Sequence, residues 1–403
     1  MLRSRHEPRQ RERWTQRLGF FSGHSELRRP LWIHAVSVGE SMAAAPLVKE
    51  IKERFPALDI LVTNTTLTGS DTVTRLFSDE ISQVYFPYDL PITVGRFLDH
   101  FEPRMLLLLE TELWPNTLSA CERRGIPVFL ANGRLSESSM QSYQRVASLS
   151  RFMVQRLSCV AAQSAADAER FSQLGASEEC LHVTGSLKFD LDLPPSLFEQ
   201  AAALRRQLDV NRPVVMFGST REGEEAIVLD ALSELFATFD NLLAIIAPRH
   251  PERFGEAIQL CRQAGLRVCT HNHLSQLSPN DNVLVVDQMG ELTRYYAASD
   301  VTFVGGSLLP FGGHNVLEPA ALGKPVLSGP HTYNFSEIGR MLCAEGAMIE
   351  VTDAIDLARA VRVWLNDSNE RDRVGRIGQE LVRRHGGATR QTVDLLANLM
   401  VEQ

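Results

Sequence analysis

Apolar and polar positions along this chain follow two periods that take turns. Short runs that are apolar at nearly every position fall at 31–36, 60–62, 84–86, 105–109, 128–130 and 160–162. Each is followed by a stretch with apolar residues at helical spacing: 42–55, 71–77, 92–101, 116–124, one long segment over 137–157, and 165–174. A strand that is apolar on both faces belongs to a parallel sheet covered by helices above and below. A last short run, 182–184, closes this half, and 186–195, with its Pro194-Pro195 pair, reads as a linker. The second half repeats the alternation, with strands at 214–217, 243–246, 266–269, 283–286 and 301–304. Its helices fall at 222–239, 252–264 and 291–298, and further helices close the chain, where Leu395, Leu396 and Leu399 make an apolar side. The pattern predicts an α/β protein with a segment over 1–30, a Rossmann-like domain over 31–190 and a second over 191–403. Two doubly wound parallel sheets are expected to face each other across a cleft.

Ligands of such sheets sit beyond the carboxyl ends of the strands, so the residues after each strand are where chemistry is sought. The most informative of these loops follows the strand at 301–304. It breaks at Gly305-Gly306, and a second pair, Gly312-Gly313, precedes His314-Asn315. A helix is expected from Asn315, with Glu318 at capping-box spacing and Lys324-Pro325 as its end. A helix N-terminus facing a glycine loop suits a phosphate, and Glu318 suits ribose hydroxyls. The same residues also suit a tight loop with an ordinary cap. Gly218-Ser219-Thr220-Arg221, Pro248-Arg249-His250-Pro251 and Met289-Gly290-Glu291 lie on strand-to-helix loops of the same half and outline one pocket with it.

In the first half, Glu40 stands where the first strand gives way to a helix. There it is either a helix-dipole partner or, if burial raises its pKa, a general base. Glu110 and Glu112 follow the strand at 105–109, and only one of them is expected to face the cleft. Trp114-Pro115 should start the next helix. Lys188, in the exit segment Gly185–Asp190, is either a solvated linker lysine or a cation for a leaving phosphate. Asp190-Leu191-Asp192 has the form of a metal-binding DxD, but a two-residue match in a linker carries little weight. His271, His273 and His331 lack zinc-ligand spacing.

Composition narrows the class. With 403 residues, 44% apolar and 22% charged, the chain is of ordinary globular type and long enough for two cores. A net charge of −8 argues against nucleic acid as a partner. Six scattered cysteines without a CxxC pair fit reduced thiols. No apolar run approaches a membrane span, and no signal peptide is visible. Arg3, Arg5, Arg9, Arg11, Arg13 and Arg17 nevertheless crowd the start of the chain, beside Trp14, Leu18, Phe20 and Phe21. That segment is either a solvated helix or one drawn to anionic lipid.

Taken in order, HAVSVGE (34–40), ETELWPN (110–116), ANGRLS (131–136), GSLKFD (185–190), PRHPERF (248–254), MGEL (289–292) and GGHNVLEPAA (312–321) resemble the Kdo transferases. These are the 3-deoxy-D-manno-octulosonic acid transferases of lipopolysaccharide biosynthesis, and the resemblance spans almost the whole chain. It implies an inverting glycosyltransferase of GT-B architecture that moves Kdo from CMP-Kdo to lipid IVA without metal or cofactor. Glu40 falls at the family's catalytic base, and Glu110 and Lys188 at groups that support its transition state. Pro248, Arg249, Met289, Gly290, Glu291, Asn315, Val316, Leu317 and Glu318 fall on its CMP-binding segments. The implied place is the cytoplasmic face of the bacterial inner membrane, on an anionic surface. Family members begin with a hydrophobic anchor, and this chain starts where that anchor would end. Phe311 departs from the family, standing where a basic or polar residue is expected. Two other readings are a sugar-nucleotide epimerase of GT-B-like fold and a non-enzymatic nucleotide-binding protein at a membrane.

Overall fold

The computed structural model describes residues 13–23, 26–77 and 80–401. Arg3, Arg5, Arg9 and Arg11 lie outside the described residues. Contacts divide the chain into two units: the first holds the chain through Asp190 and again from His385, and the second is Leu191–Arg384.

The first unit is built from β1 (Leu31–His34), α1 (Val38–Arg54), β2 (Ile60–Asn64), α2 (Leu67–Phe77), β3 (Ser82–Tyr85), α3 (Pro91–Phe101) and β4 (Met105–Leu109). It continues with α4 (Pro115–Arg123), β5 (Val128–Gly133), α5 (Glu137–Arg145), α6 (Ala147–Val154), β6 (Cys159–Ala162), α7 (Ala165–Gln173) and β7 (Leu181–Val183). Its seven strands are all parallel, in the order β3-β2-β1-β4-β5-β6-β7. Alternate residues of one strand enter opposite cores. Trp32, Leu61 and Leu106 share one, whereas Ile33, Val62 and Leu107 share the other. This accounts for the unbroken apolar runs, since neither face of the sheet meets water.

The second unit holds α8 (Pro195–Gln207), β8 (Val214–Thr220), α9 (Glu224–Phe236), β9 (Leu243–Pro248), α10 (Phe254–Gln263), β10 (Val268–Thr270), β11 (Val283–Val285), α11 (Leu292–Ala298) and β12 (Val301–Val304). Then follow α12 (Leu317–Ala321), β13 (Val326–Ser328), α13 (Ser336–Ala344), β14 (Met348–Glu350), α14 (Ala354–Asn366) and α15 (Ser368–His385). Its seven parallel strands run β10-β11-β9-β8-β12-β13-β14. The chain ends on α16 (Ala388–Val401).

Four expectations change. The long helix over 137–157 is two, α5 and α6, broken at Val146 (φ −121°, ψ 44°). There Ser150 Oγ donates to Tyr143 O (2.7 Å) and Val146 O (3.2 Å), offering those carbonyls a partner outside the helical ladder. The linker ends sooner, because Pro195 opens α8 from the first helical position, where its missing N–H is no loss. The helix expected from Asn315 begins only at Leu317, because Asn315 Oδ1 accepts the Leu317 N–H (3.1 Å) in a turn of its own. It stops at Ala321, since Gly323 (φ +70°) turns the chain out before Lys324-Pro325.

The fourth change concerns the chain's end. The closing helices were expected to stay with the second half, but α16 packs on the first sheet. Val393 and Leu396 enter the core that holds Ile33, Leu47 and Ile51. Asp190 captures the start of α16, with its carboxylate accepting Gly387 N–H and Thr389 N–H at 2.5 Å each. Phe189 stacks on His385 (5.1 Å), and Arg54 pairs with Asp394. The acidic residue that gave the DxD its form is thus an N-terminal helix cap.

At the other end, the five-residue turn Trp14–Leu18 covers the open edge of β3. Gln16 Oε1 accepts Tyr85 N–H (3.0 Å), Arg13 Nη2 donates to Gln83 Oε1 (2.7 Å), and Arg13 and Arg17 lie over the Tyr85 ring. A covered edge has no free row of backbone groups to recruit another strand. Phe21 docks on Phe97 and Phe101, whereas Trp14 and Phe20 stay exposed. No helix among the described residues is long and apolar enough to cross a membrane.

Asp190→Ala should destabilise the first unit by about 1–2 kcal/mol, the usual worth of an N-cap carboxylate. Denaturant unfolding followed by hydrogen exchange in α16 and β1 checks this. Unchanged protection in α16 would refute the capping role.

Candidate active site

In the first unit the strand order reverses between β1 and β4, so their carboxyl ends border the crevice where a doubly wound sheet accepts a ligand. The loop after β1 delivers Glu40 and the corner after β4 delivers Glu110. Glu40 is placed by a reciprocal cap. Ser37 Oγ accepts the Glu40 N–H (3.3 Å) and donates to Glu40 Oε1 (2.9 Å), while Val36 N–H donates to Glu40 Oε2 (2.7 Å). The carboxyl is 7% exposed. Burial pushes its pKa up from 4.5 to about 7; the bonds from Val36 and Ser37 pull the other way, and the nearby Glu110 and Glu112 add to the rise. A carboxyl balanced near neutrality is suited to accepting a proton, a property that helix-dipole placement alone does not confer.

Glu110 leaves β4 in the left-handed region (φ +57°), its N–H donating to Ala131 O (3.0 Å). A non-glycine residue there is strained by about 1–3 kcal/mol, and such strain persists where the surroundings hold it. Glu112 is half-buried, and burial and Glu110 both raise its pKa. Both carboxylates add to the rise of the Glu40 pKa, and Glu112 is itself hydrogen-bonded to Trp114. Trp114-Pro115 does start α4, with Pro115 at the first position. Behind Glu40, the fully buried His34 stacks on Phe86 (4.0 Å) and bonds Thr63 Oγ1 through Nδ1 (2.9 Å). Burial drives its pKa down to about 3, so it is neutral.

Lys188 sits in the short turn Leu187–Phe189. Leu187 anchors that turn in the core and donates its N–H to Asn132 Oδ1 (3.0 Å). Asn132 itself is left-handed (φ +55°) at the end of β5. The turn packs against α1, the helix that carries Glu40, and Lys188 is half-buried there rather than solvated in a linker.

In the second unit the reversal falls between β8 and β12. One buried carboxylate ties their two loops together. Glu224 accepts the N–H groups of Arg221 (2.8 Å), Gly306 (2.6 Å), Ser307 (2.8 Å) and Leu308 (2.9 Å). The loops approach so closely that a Cβ on Gly305 would lie 2.7 Å from Ser219 O, which is why glycine stands there. The sequence had singled out the glycines but not Glu224, whose only trace is the plain surface-like string GEE.

Around this scaffold Arg249, Asn315 and Glu318 come together. Asn315 Nδ2 donates to Glu318 Oε1 (3.2 Å) and Thr293 Oγ1 to Glu318 Oε2 (3.4 Å). Burial raises the Glu318 pKa, and those two bonds and Arg249 hold it back. His314 is pushed down to about 4 by burial and by Arg249, Arg221 and His250. Pro248 is buried at the end of β9, and the side chains of Val316 and Leu317 are in the core, so these positions present only backbone. Met289 is exposed, Gly290 is left-handed (φ +89°), and Glu291 is already paired with Arg294 (2.7 Å). The short α12, only five residues long, offers little dipole, so an anion here would depend on the arginines.

Residues 12–191 match the family model for 3-deoxy-D-manno-octulosonic-acid transferase (kdotransferase), and residues 195–381 match that for glycosyl transferases group 1. The chain is 38% identical over 392 residues to the 3-deoxy-D-manno-octulosonic acid transferase of Haemophilus influenzae, covering 96% of this chain and 92% of that protein. It is also 38% identical to the Bordetella pertussis protein of the same description, over 92% of this chain and 87% of the other. Among solved structures, UDP-GlcNAc 2-epimerase from Neisseria meningitidis superposes with a TM-score of 0.61 over 92% of this chain and 100% of its own, at 16% identity. At that identity the likeness concerns fold alone, the GT-B arrangement of two Rossmann-like domains.

The Glu40 environment has a measurable consequence. A carboxyl whose folded pKa lies above its unfolded value contributes stability that is complete below pH 4.5 and is lost as pH rises through about 7. The loss amounts to roughly 3 kcal/mol when complete. Glu40→Gln should lack it, so the Tm of the variant should gain on the parent between pH 5 and pH 8.5. Parallel Tm curves across that range would disprove the raised pKa.

Proposed function

The chain belongs to the 3-deoxy-D-manno-octulosonic acid transferase family of lipopolysaccharide biosynthesis, and from that premise we propose that it moves Kdo from CMP-Kdo to lipid IVA with inversion. The observation that carries this reading is Glu40, a buried carboxyl balanced near neutral pH at the β1/β4 crevice. Glu40 takes the proton of an acceptor hydroxyl as that oxygen bonds to the anomeric carbon. The bond from that carbon to the CMP phosphate breaks on the opposite face, and its electron pair leaves with CMP. Positive charge grows on the sugar and negative charge on the phosphate, and fixed groups of opposite sign lower the barrier. Glu110 answers the first and Lys188 the second.

CMP is held by the second unit. Arg249, after Pro248, meets the phosphate, which the short α12 would serve poorly. Glu318, oriented by Asn315 and Thr293, accepts from the ribose hydroxyls, while Met289–Glu291 and Val316-Leu317 contribute backbone. With cationic side chains at the leaving group, the transfer runs without a metal. The place of action is the cytoplasmic face of the inner membrane. Trp14 and Phe20 are exposed on a segment that also carries Arg13 and Arg17, a combination that suits an anionic surface.

The test is transfer from CMP-Kdo to detergent-dispersed lipid IVA with chelator present, the lipid products weighed by mass spectrometry. The parent protein should add Kdo-sized masses, and Glu40→Ala should be slower by about 10²–10⁴-fold, the range for a lost general base. Full activity in Glu40→Ala would sink the mechanism. Absence of any Kdo-bearing lipid with the parent would sink the donor–acceptor pair.

A further inference from the structure

Arg221 and two imidazoles beside it remain outside the CMP reading, yet they are held more firmly than a solvated arginine would be. The Arg221 N–H is bonded to Glu224, its guanidinium lies over the Phe311 ring (4.7 Å), and its Nη1 donates to His250 Nε2 (2.6 Å). A guanidinium has no acceptor, so His250 must be neutral with its hydrogen on Nδ1. His314 packs against Gly306, where a Cβ would come within 2.7 Å of its ring and 3.5 Å of Arg221 Cγ. Its Nε2 is buried without a hydrogen-bond partner, an arrangement that carries a desolvation cost and marks a site not organised for stability alone.

Charge balance points the same way. Arg205, Arg253 and Arg294 of this unit each pair with a carboxylate. Among the described residues, no carboxylate lies within ion-pair distance of Arg221 or Arg249. Two arginines at one crevice, neither of them in an ion pair, fit a ligand with two separate anionic groups. One is the phosphate already assigned to Arg249. The other is the carboxylate that a Kdo donor carries on its anomeric carbon. A planar, pre-oriented guanidinium suits a planar carboxylate through two parallel N–H···O bonds.

We infer that Arg221, held by Phe311 and His250, recognises the carboxylate of the donor's sugar and so selects an acidic sugar over a neutral one. The inference rests on CMP-Kdo being the donor. It gives Phe311 a purpose: an aromatic ring at that position supports the guanidinium from below, which a basic residue would repel.

Two constants measured on the intact protein separate the carboxylate from the phosphate: KM for CMP-Kdo, and Ki for CMP as product inhibitor. Arg221→Gln should raise KM about tenfold or more while Ki moves less than twofold, because CMP lacks the carboxylate. Arg221→Lys should recover part of the loss, and Phe311→Ser, which leaves the arginine, should raise KM severalfold. A CMP-induced rise in Tm in each variant reports an intact nucleotide site; if Arg221→Gln lacks it, the Lys and Phe311 variants decide. Equal weakening of CMP and CMP-Kdo would assign Arg221 to the phosphate and overturn the inference, as would an unchanged KM. A parent protein that does not use CMP-Kdo at all would instead refute the donor reading beneath it.

Discussion

Parallel pairing is the constraint from which the rest follows. A parallel strand cannot turn straight back on its neighbour, so each connection crosses over as a helix and both faces of the sheet are buried. Polar chemistry is then confined to the strand ends, and within those to the point where strand order reverses and two neighbouring loops part. In the first unit that point lies between β1 and β4, which carry Glu40 and Glu110. In the second it lies between β8 and β12, which carry Arg221 and the loop from Gly305 to Asn315.

The two crevices treat a buried carboxylate in opposite ways. Glu224 receives four backbone N–H groups, so its desolvation is compensated and it serves as a rivet between loops. Glu40 receives one backbone N–H and one hydroxyl, and has two further carboxylates for neighbours. Its charge is therefore poorly compensated, and the proton that it holds near neutrality is the result. The fold pays in stability for one group and gains stability from the other, with the same side chain.

A similar contrast separates the arginines. Those paired with carboxylates join elements: Arg253 after β9 to Glu225 of α9, and Arg205 of α8 to Asp300 before β12. Arg221, at the β8/β12 crevice, is positioned by other means, by a ring, an imidazole and backbone. It is oriented without being neutralised, and that difference from the paired arginines lies in geometry rather than residue type.

Much of the architecture was legible along the chain. Runs such as Met105–Leu109 announce strands buried on both sides, and the glycines at 305–306 announce a close approach of backbones. The motifs around Glu40, Lys188 and Arg249 pointed to a family, which the identity with its members bears out. Even the cap that places Glu40 was present as Ser37 three residues before it. Other features depend on partners distant in sequence. Helix α16 belongs to the first unit because Asp190, some two hundred positions earlier, holds its first turn. The helix over 137–157 breaks because Ser150 bonds backwards to Tyr143. Glu40 has a raised pKa because burial, and after it Glu110 and Glu112, disfavour its charge. Local periodicity encodes which faces are buried, since that is a property of neighbours along the chain. Desolvation and pairing are properties of neighbours in space, and only the folded chain decides them.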